Sequence, residues 1–325
     1  NKLKTVGLKK TVQRLIGRFG LKKLRDRVSN LQSFVDNNLV VTDLIFDEDN
    51  ISALNDEFDG FMCGSDQIWN PSNTRLDSMY WLTFANDNKL KISYAPSIGI
   101  ESVTDKQKKE IRENLRTFNA ISSREESGTT LINKIIGSES CKTVLDPTML
   151  VNRITWDAIS DSRLCQGKYI FVYLLRGTKD DRKWIEEYSR KKHMRIVTIP
   201  FLDGENLVLY DFKFGDLKLW SATPQDFINA IRYAECVFTD SFHCMVFSCL
   251  YHRSFYIFKN LGNHQMNRLI GLHSTLGINS RIISSESTIG DIEKLAPIDW
   301  AGVDRKIEER RKISQEYLHS ALSCD

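Results

Sequence analysis

From Phe61 onward, short apolar runs alternate with longer amphipathic segments, and no other feature constrains the fold as much. Phe61-Met62-Cys63 stops at Gly64, and Lys91-Ile92-Ser93-Tyr94-Ala95 stops at Pro96. Residues 105–118 then carry helical spacing, followed by the short run Ala120-Ile121-Ser122, a helix over 125–136 that breaks at Gly137, and Lys142-Thr143-Val144-Leu145 closed by Asp146-Pro147. The pattern restarts at Tyr169-Ile170-Phe171-Val172-Tyr173-Leu174-Leu175, continues through a helix at 179–192 and Arg195–Ile199, and reaches Thr223-Pro224, a helix start with Thr as cap and Pro in the first turn. Cys236–Thr239, a helix from Ser241 and Phe255–Phe258 follow. Strands alternating with helices predict βαβ units and a mostly parallel sheet. The unbroken apolar run 169–175 suits a central strand buried on both faces.

A chain of 325 residues suggests two domains of ordinary size. The pattern relaxes into Ser, Asp, Gln and Gly around residues 159–168. The expected division is therefore an N-terminal Rossmann-like domain over 1–165, a second over 166–300, and a charged amphipathic helix over 301–325. Apolar residues make up 41% and charged residues 27%, as in ordinary globular proteins. No run approaches the roughly 20 apolar residues of a membrane span, and no signal peptide is legible. The seven cysteines (Cys63, Cys141, Cys165, Cys236, Cys244, Cys249 and Cys324) form no C-x-x-C pair and mostly sit in apolar runs. Reduced, buried thiols in a cytoplasmic protein are expected, not a disulfide framework or a zinc site. A net charge of +3 gives no case for a nucleic-acid partner. The basic residues crowd the first segment, from Lys2 to Arg27, which reads as helix to residue 38. That face is either simply solvated or a surface for anionic lipid, a peripheral contact on the inner face of the membrane.

In open α/β sheets ligands bind at the carboxyl ends of strands, so chemistry is expected after Cys63, Leu175 and Phe238. Thr239-Asp240-Ser241-Phe242-His243 runs from a buried strand into a helix start, where backbone N–H groups make an anion site. His243 in that first turn is placed to give a proton to a docked anion; the alternative is a structural histidine. Gly64-Ser65-Asp66-Gln67-Ile68-Trp69-Asn70 has the dress of a sugar-binding loop, with Asp66 as a base toward a hydroxyl. A capped turn explains the same residues equally well. Arg124, between a short strand and a helix start, can bind phosphate or carboxylate bidentately, or simply open the helix. Arg176 follows the strand 169–175, beside Gly177, and reads either as a ligand or as a surface residue. No G-x-G-x-x-G, P-loop or H-E-x-x-H occurs, so nicotinamide, ATP and catalytic zinc have no sequence case.

Taken in order, these motifs resemble the polysaccharide pyruvyl transferase family. The resemblance runs from about Leu31 to Arg281 through Phe58-Asp59-Gly60-Phe61, Gly64–Asn70, Ile92–Ser97, Ser123-Arg124-Glu125, Val144–Thr148 and Thr239–His243. It implies two Rossmann-like domains facing a cleft, similar to GT-B glycosyltransferases. It also implies a bacterial, cytoplasmic enzyme of exopolysaccharide biosynthesis. Such an enzyme moves the enolpyruvyl unit of phosphoenolpyruvate onto sugar hydroxyls as a cyclic ketal, with phosphoenolpyruvate as donor substrate and no metal or other cofactor. On this reading His243 and Asp66 are catalytic and Arg176, Ser241, Arg124 and Arg268 hold the donor. Ser65, Gln67, Trp69 and Asn70 line the site of a saccharide acceptor, lipid-linked or free. The family's first strand and its glycine-bearing loop are expected upstream of Asn1.

The chain departs from the family pattern at two places. Ser241 stands where some branches have an arginine, so a phosphate contact is lost or comes from Arg124, Arg268 or Arg253. Cys244 follows the histidine where glycine is usual. Two other functions fit the same architecture: a GT-B-type glycosyltransferase using a nucleotide sugar, and a non-catalytic carbohydrate-binding protein.

Overall fold

The computed structural model of the chain describes residues 22–23, 25–42, 46–74, 77–159, 162–201, 209–259 and 263–323. Most of the basic opening run, Lys2 to Arg18, lies outside these residues. The chain divides into two compact units, each built from separate stretches of sequence.

The first unit comprises Asp43–Asn152, Leu261–Ser280 and Ala296–Asp325. Its strands are β1 (Gly60–Cys63), β2 (Leu90–Ser93), β3 (Ser122–Ser123) and β4 (Lys142–Thr143). β1 pairs with β2 and β3 with β4, both in parallel, and a parallel bridge between Ile92 and Ala120 joins the two pairs. A one-turn helix α2 (Pro71–Thr74) follows β1 and α3 (Asp105–Leu115) follows β2. α3 opens on a capping box between Thr104 and Gln107, and turns Ile111 and Leu115, one helical turn apart, to the core. α4 (Glu126–Ile136) ends where Gly137 adopts φ 77°, a left-handed cap that suits glycine. α5 (Pro147–Leu150) is capped by Asp146.

Trp69 and Trp81 stack in this core with ring centroids 4.6 Å apart and planes 4° apart. Ile98, Ile111 and Ile132 pack in the same cluster.

Two later helices complete this unit: α10 (Asn263–Leu276) and α12 (Trp300–Leu322). On α12, the Tyr317 hydroxyl donates to the Ser93 carbonyl at the end of β2, 2.8 Å away. Ser314 Oγ accepts the Leu145 N–H, and Arg311 Nε donates to the Met149 carbonyl.

The second unit comprises Asn1–Thr42, Arg153–Asn260 and Arg281–Leu295. It contains α1 (residues 25–38) and α6 (Arg153–Ile159). Its main run is β5 (Tyr169–Tyr173), α7 (Lys179–Lys192), β6 (Arg195–Thr198), β7 (Leu217–Lys218), α8 (Pro224–Arg232), β8 (Cys236–Thr239), α9 (Phe242–Leu250) and β9 (Ser254–Phe258). β10 (Ile282–Ile283) and α11 (Ile289–Glu293) close it.

The six strands form one sheet in the order β10-β9-β8-β5-β6-β7, every pairing parallel. This is the doubly wound order, whose direction of progress reverses between β5 and β8. β5 is buried on both faces. Ile170, Val172 and Leu174 pack with Trp184, Ile185 and Tyr188 of α7. On the opposite face Phe171 and Tyr173 meet Phe227 of α8 edge-on.

The expected mixed α/β class with parallel sheets is what the chain adopts. The division differs from the three consecutive segments 1–165, 166–300 and 301–325. The break falls between Asn152 and Arg153, and residues 301–325 belong to the first unit instead of standing apart. The physical reason is the set of α12 bonds to Ser93, Leu145 and Met149, which amphipathic spacing alone does not reveal. Among the described residues no helix is long and apolar enough to cross a membrane.

Trp69→Ala removes half of the buried indole stack and leaves a cavity. Urea unfolding should show a loss of about 3–5 kcal/mol. A loss under about 1 kcal/mol would mean that the stack is not central to the first unit.

Candidate active site

The reversal between β5 and β8 opens a crevice at the carboxyl end of the second unit's sheet, the usual ligand position in such folds. The loops that meet there are 174–178 after β5 and 240–241 after β8. Tyr173 and Thr239 are paired in register at the strand ends, and Thr239 Oγ1 donates to the Tyr173 carbonyl, 2.7 Å away. The Ser241 N–H donates back to Thr239 Oγ1.

Asp240 joins the two loops. One carboxylate oxygen accepts the Leu175 N–H at 2.6 Å and the other the Arg176 N–H at 2.9 Å. Burial pushes this carboxyl above its ordinary range, against the opposing pull of those backbone N–H groups. The other side of the loop is held by Arg182, which donates to the Gly177 and Thr178 carbonyls and is ion-paired with Asp211 in the interior. Gly177 is required by close packing, since a Cβ there would lie 2.5 Å from the Leu174 side chain. The backbone of 175–178 is thus fixed at both ends, and the Arg176 side chain it carries is exposed.

Ser241 caps α9, its hydroxyl accepting the Cys244 N–H at 3.4 Å. Every residue of α9 is buried except His243, which lies in the first turn with its ring edge-on to Phe242 at 5.6 Å. The helix start turns its positive dipole end toward the same edge. Cys244, one residue on, is fully buried, and burial raises its thiol pKa; Cys63, Cys141 and Cys236 are pushed up to about 12 by the same cause. None of these thiols is poised as a nucleophile.

The carboxyl edge of the first unit carries a second polar cluster. Asp146 is buried at its centre. It accepts the Ser65 hydroxyl at 3.0 Å, Arg124 Nη1 at 2.9 Å and both the N–H and hydroxyl of Thr148. Arg124 Nε also bonds Glu125, and Arg124 Nη2 lies 3.7 Å from Asp66. Burial pushes Arg124 down, but Glu125 and Asp146 outweigh it and hold the guanidinium above its ordinary value. Arg268 of α10 shares this neighbourhood. Its Nε is buried without a hydrogen-bond partner, and burial followed by repulsion from Arg124 pushes it down.

The Asp66 side chain is 64% exposed, whereas that of Arg124 is 1% exposed. Asp66 adopts φ 71°, outside the usual range for a residue with a Cβ. Its carbonyl accepts the Ser97 N–H at 2.6 Å, tying the loop after β1 to the loop after β2. The latter loop is itself bent at Ala95 (φ 57°) and Gly99 (φ 62°).

These positions sort the expected site residues. Arg176, Ser241 and His243 come together in the second unit. Arg124 and Arg268 come together in the first unit with Ser65 and Asp66, and Arg124 is a buried ion-paired residue. Trp69 is not a sugar platform: it is fully buried and its indole N–H donates to the Tyr80 carbonyl. Asn70 is also interior, capping Ser72 and donating to Gln67 Oε1, with both amides packed against Gly99. Of the polar side chains of that loop, Ser65, Asp66 and Gln67 reach solvent. Arg253 precedes β9 and so lies at the amino end of the strands, the wrong edge to replace an arginine at 241.

Asp240 and Asp146 organise these loops although neither stands out by spacing: each lies inside a motif, but its partners are distant in sequence. Among the described residues no group of three or more His, Cys, Asp and Glu side chains could hold a metal ion.

Among curated proteins none matches the chain. A putative UDP-N-acetylglucosamine 2-epimerase from Listeria monocytogenes is similar in structure, with 9% identity over 84% of this chain and 72% of that one and a TM-score of 0.49. A variant of the wall teichoic acid polymerase TagF soaked with CDPG is similar with 12% identity over 73% of this chain and 69% of that one, at a TM-score of 0.42. The family model described as polysaccharide pyruvyl transferase matches residues 5–262, a span that holds both loops of the β5–β8 crevice and the polar edge of the first unit up to Asp146. The chain therefore belongs to the polysaccharide pyruvyl transferase family.

Proposed function

We propose that the protein transfers the pyruvyl unit of phosphoenolpyruvate to a saccharide as a cyclic ketal, releasing inorganic phosphate. The observation that carries this reading is the β5–β8 crevice, where Asp240 fixes the exposed Arg176 beside the helix start that bears Ser241 and His243. Phosphoenolpyruvate has two anionic groups on a small planar skeleton. A guanidinium and a helix N-terminus in one crevice match that pair of charges.

In this reading Arg176 and the first turn of α9 hold the phosphate and carboxylate. His243, protonated, gives its proton to the methylene carbon, which becomes the methyl group. The positive centre left at the neighbouring carbon is attacked by one sugar hydroxyl, and a carbon–oxygen bond forms. The bond to the phosphate oxygen then breaks and a second hydroxyl closes the ketal. One hydroxyl proton restores His243 and the other leaves with phosphate. Arg124, a candidate donor contact together with Arg268, is ion-paired with Asp146 and Glu125 within the first unit. The first unit is assigned the acceptor, with Asp66 as candidate base and Ser65 and Gln67 as hydrogen-bonding partners. Donor and saccharide are the proposed partners, and no resident cofactor is assigned. The acceptor is a cell-surface polysaccharide or its lipid-linked precursor, met on the cytoplasmic side.

Phosphate release from phosphoenolpyruvate should depend on an added saccharide acceptor. His243→Ala should lower that rate at least about a hundredfold while thermal unfolding stays unchanged. Wild-type turnover in that variant would remove His243 from the mechanism. Asp240→Asn keeps the side-chain shape but turns one acceptor into a donor facing a backbone N–H. Its KM for phosphoenolpyruvate should rise about tenfold or more. Calorimetric titration with nucleotide sugars is the counter-test: tight binding of one of these, and none of phosphoenolpyruvate, would overturn the reading.

A further inference from the structure

Helix α1 is held to the second unit by one of its faces. Arg27 Nε donates to the Trp220 carbonyl at 3.0 Å, and one turn on Asn30 Nδ2 donates to the Ser221 carbonyl at 2.6 Å. These carbonyls follow β7, so the helix sits at the carboxyl edge of the sheet. A second face is largely open to solvent. Val28, Leu31, Val35 and Leu39 recur at spacings of three, four and four, which draws them into one stripe beside the docked face. The Leu39 N–H still bonds the Val35 carbonyl at 2.9 Å, so the stripe keeps its helical register to its end. Val35 is half-buried, whereas Val28, Leu31 and Leu39 are exposed. Val40 and Val41, directly after them, are exposed as well, Val40 completely.

Five of the fourteen exposed large apolar side chains among the described residues therefore fall in residues 28–41. Apolar surface gathered on one short element marks a contact, which single scattered residues do not. The charge beside it says of what kind. Residues 1–27 carry ten basic side chains and one acidic one, Asp26, a net charge of +9. The whole chain carries +3, so residues 28–325 carry −6. Lys22 and Arg25 are exposed and precede Val28 at successive spacings of three, so described bases adjoin the apolar stripe.

Solvation alone accounts for the bases but not for the stripe. A second copy of the chain seated on the stripe would bring +9 against +9. An anionic lipid surface satisfies both features, because its headgroups neutralise the bases and its acyl boundary takes up valine and leucine. A helix bound in this way lies in the plane of the interface, with its apolar stripe below the headgroups. The same surface repels the acidic remainder of the chain, which leaves this segment as the side that approaches it.

We propose that α1 and residues 39–41 form a docking surface for an anionic lipid bilayer. Val28, Leu31, Leu39, Val40 and Val41 enter the headgroup region, and Lys22 and Arg25 meet the headgroups. The bonds of α1 to residues 220 and 221 tie this attachment to the carboxyl edge of the sheet, the edge on which the β5–β8 crevice opens. The inference does not rest on the donor reading, since it holds whatever the crevice binds.

The test is flotation of the full chain with vesicles of phosphatidylglycerol and phosphatidylcholine in equal parts, and with vesicles of phosphatidylcholine alone, at low and high salt. No substrate is present, so the result is independent of the proposed transfer reaction. The variants are Val40→Ser with Val41→Ser, Lys22→Gln with Arg25→Gln, and Ile313→Ser, an exposed apolar position of the first unit. All of these positions are exposed, so thermal unfolding should stay unchanged. The wild type should bind the anionic vesicles and not the neutral ones, and high salt should weaken the binding. Each double variant should bind about tenfold more weakly or worse at low salt, and Ile313→Ser should bind as wild type. Wild-type binding in either double variant would overturn the proposal, since one keeps the charge and the other keeps the stripe. So would equal binding to both kinds of vesicle, or binding to neither. A wild-type dimer in analytical ultracentrifugation that the valine pair converts to a monomer, without vesicle binding, would assign the stripe to a second copy and overturn the proposal as well.

Discussion

A single buried carboxylate fixes the geometry on which this molecule's chemistry depends. Asp240 follows β8, yet its two oxygens are spent on the backbone of the loop after β5. The two strands are neighbours only because the sheet reverses its order of construction between them. Without that bond the two loops would be joined only at their strand ends, through Thr239 Oγ1 and the Tyr173 carbonyl. With it, the exposed Arg176 and the start of α9 move as one body. The cost of burying a charge is met locally by backbone N–H groups, the same solution that anion sites use for their ligands. The Arg182–Asp211 pair holds the far side of the loop by the same logic, with a cation on backbone carbonyls.

The strand–helix alternation was legible because strands buried on both faces leave continuous apolar runs, as at 169–175, and helices leave spaced ones, as at 179–192. The Thr223-Pro224 cap sharpened one of those boundaries. What escaped was short or distant. The two-residue strands β7 and β10 are too brief to show a period. The docking of α12 onto β2 and residues 145–149 depends on Tyr317, Ser314 and Arg311, whose partners lie more than a hundred residues away.

The site was legible in the same uneven way. Ser241 and His243 were visible as a helix start after a buried strand, and Arg176 as the residue beyond another. Trp69 misled because a tryptophan among small polar residues looks the same in sequence whether it faces a sugar or an indole. Trp81, its stacking partner, sits in a separate segment with no signal of its own.

The way the chain returns to its first unit bears on the order of assembly during synthesis. The last stretch of the second unit ends at Leu295, whereas the first unit, most of whose strands and core come earlier in the sequence, still lacks α12 at that point. Until that helix arrives, the Ser93 carbonyl and the Leu145 N–H have no Tyr317 or Ser314 to bond. The usual expectation that domains fold in the order they leave the ribosome is therefore inverted here. A ribosome that stops after Leu295 would release a chain whose earlier-made unit is open along one side.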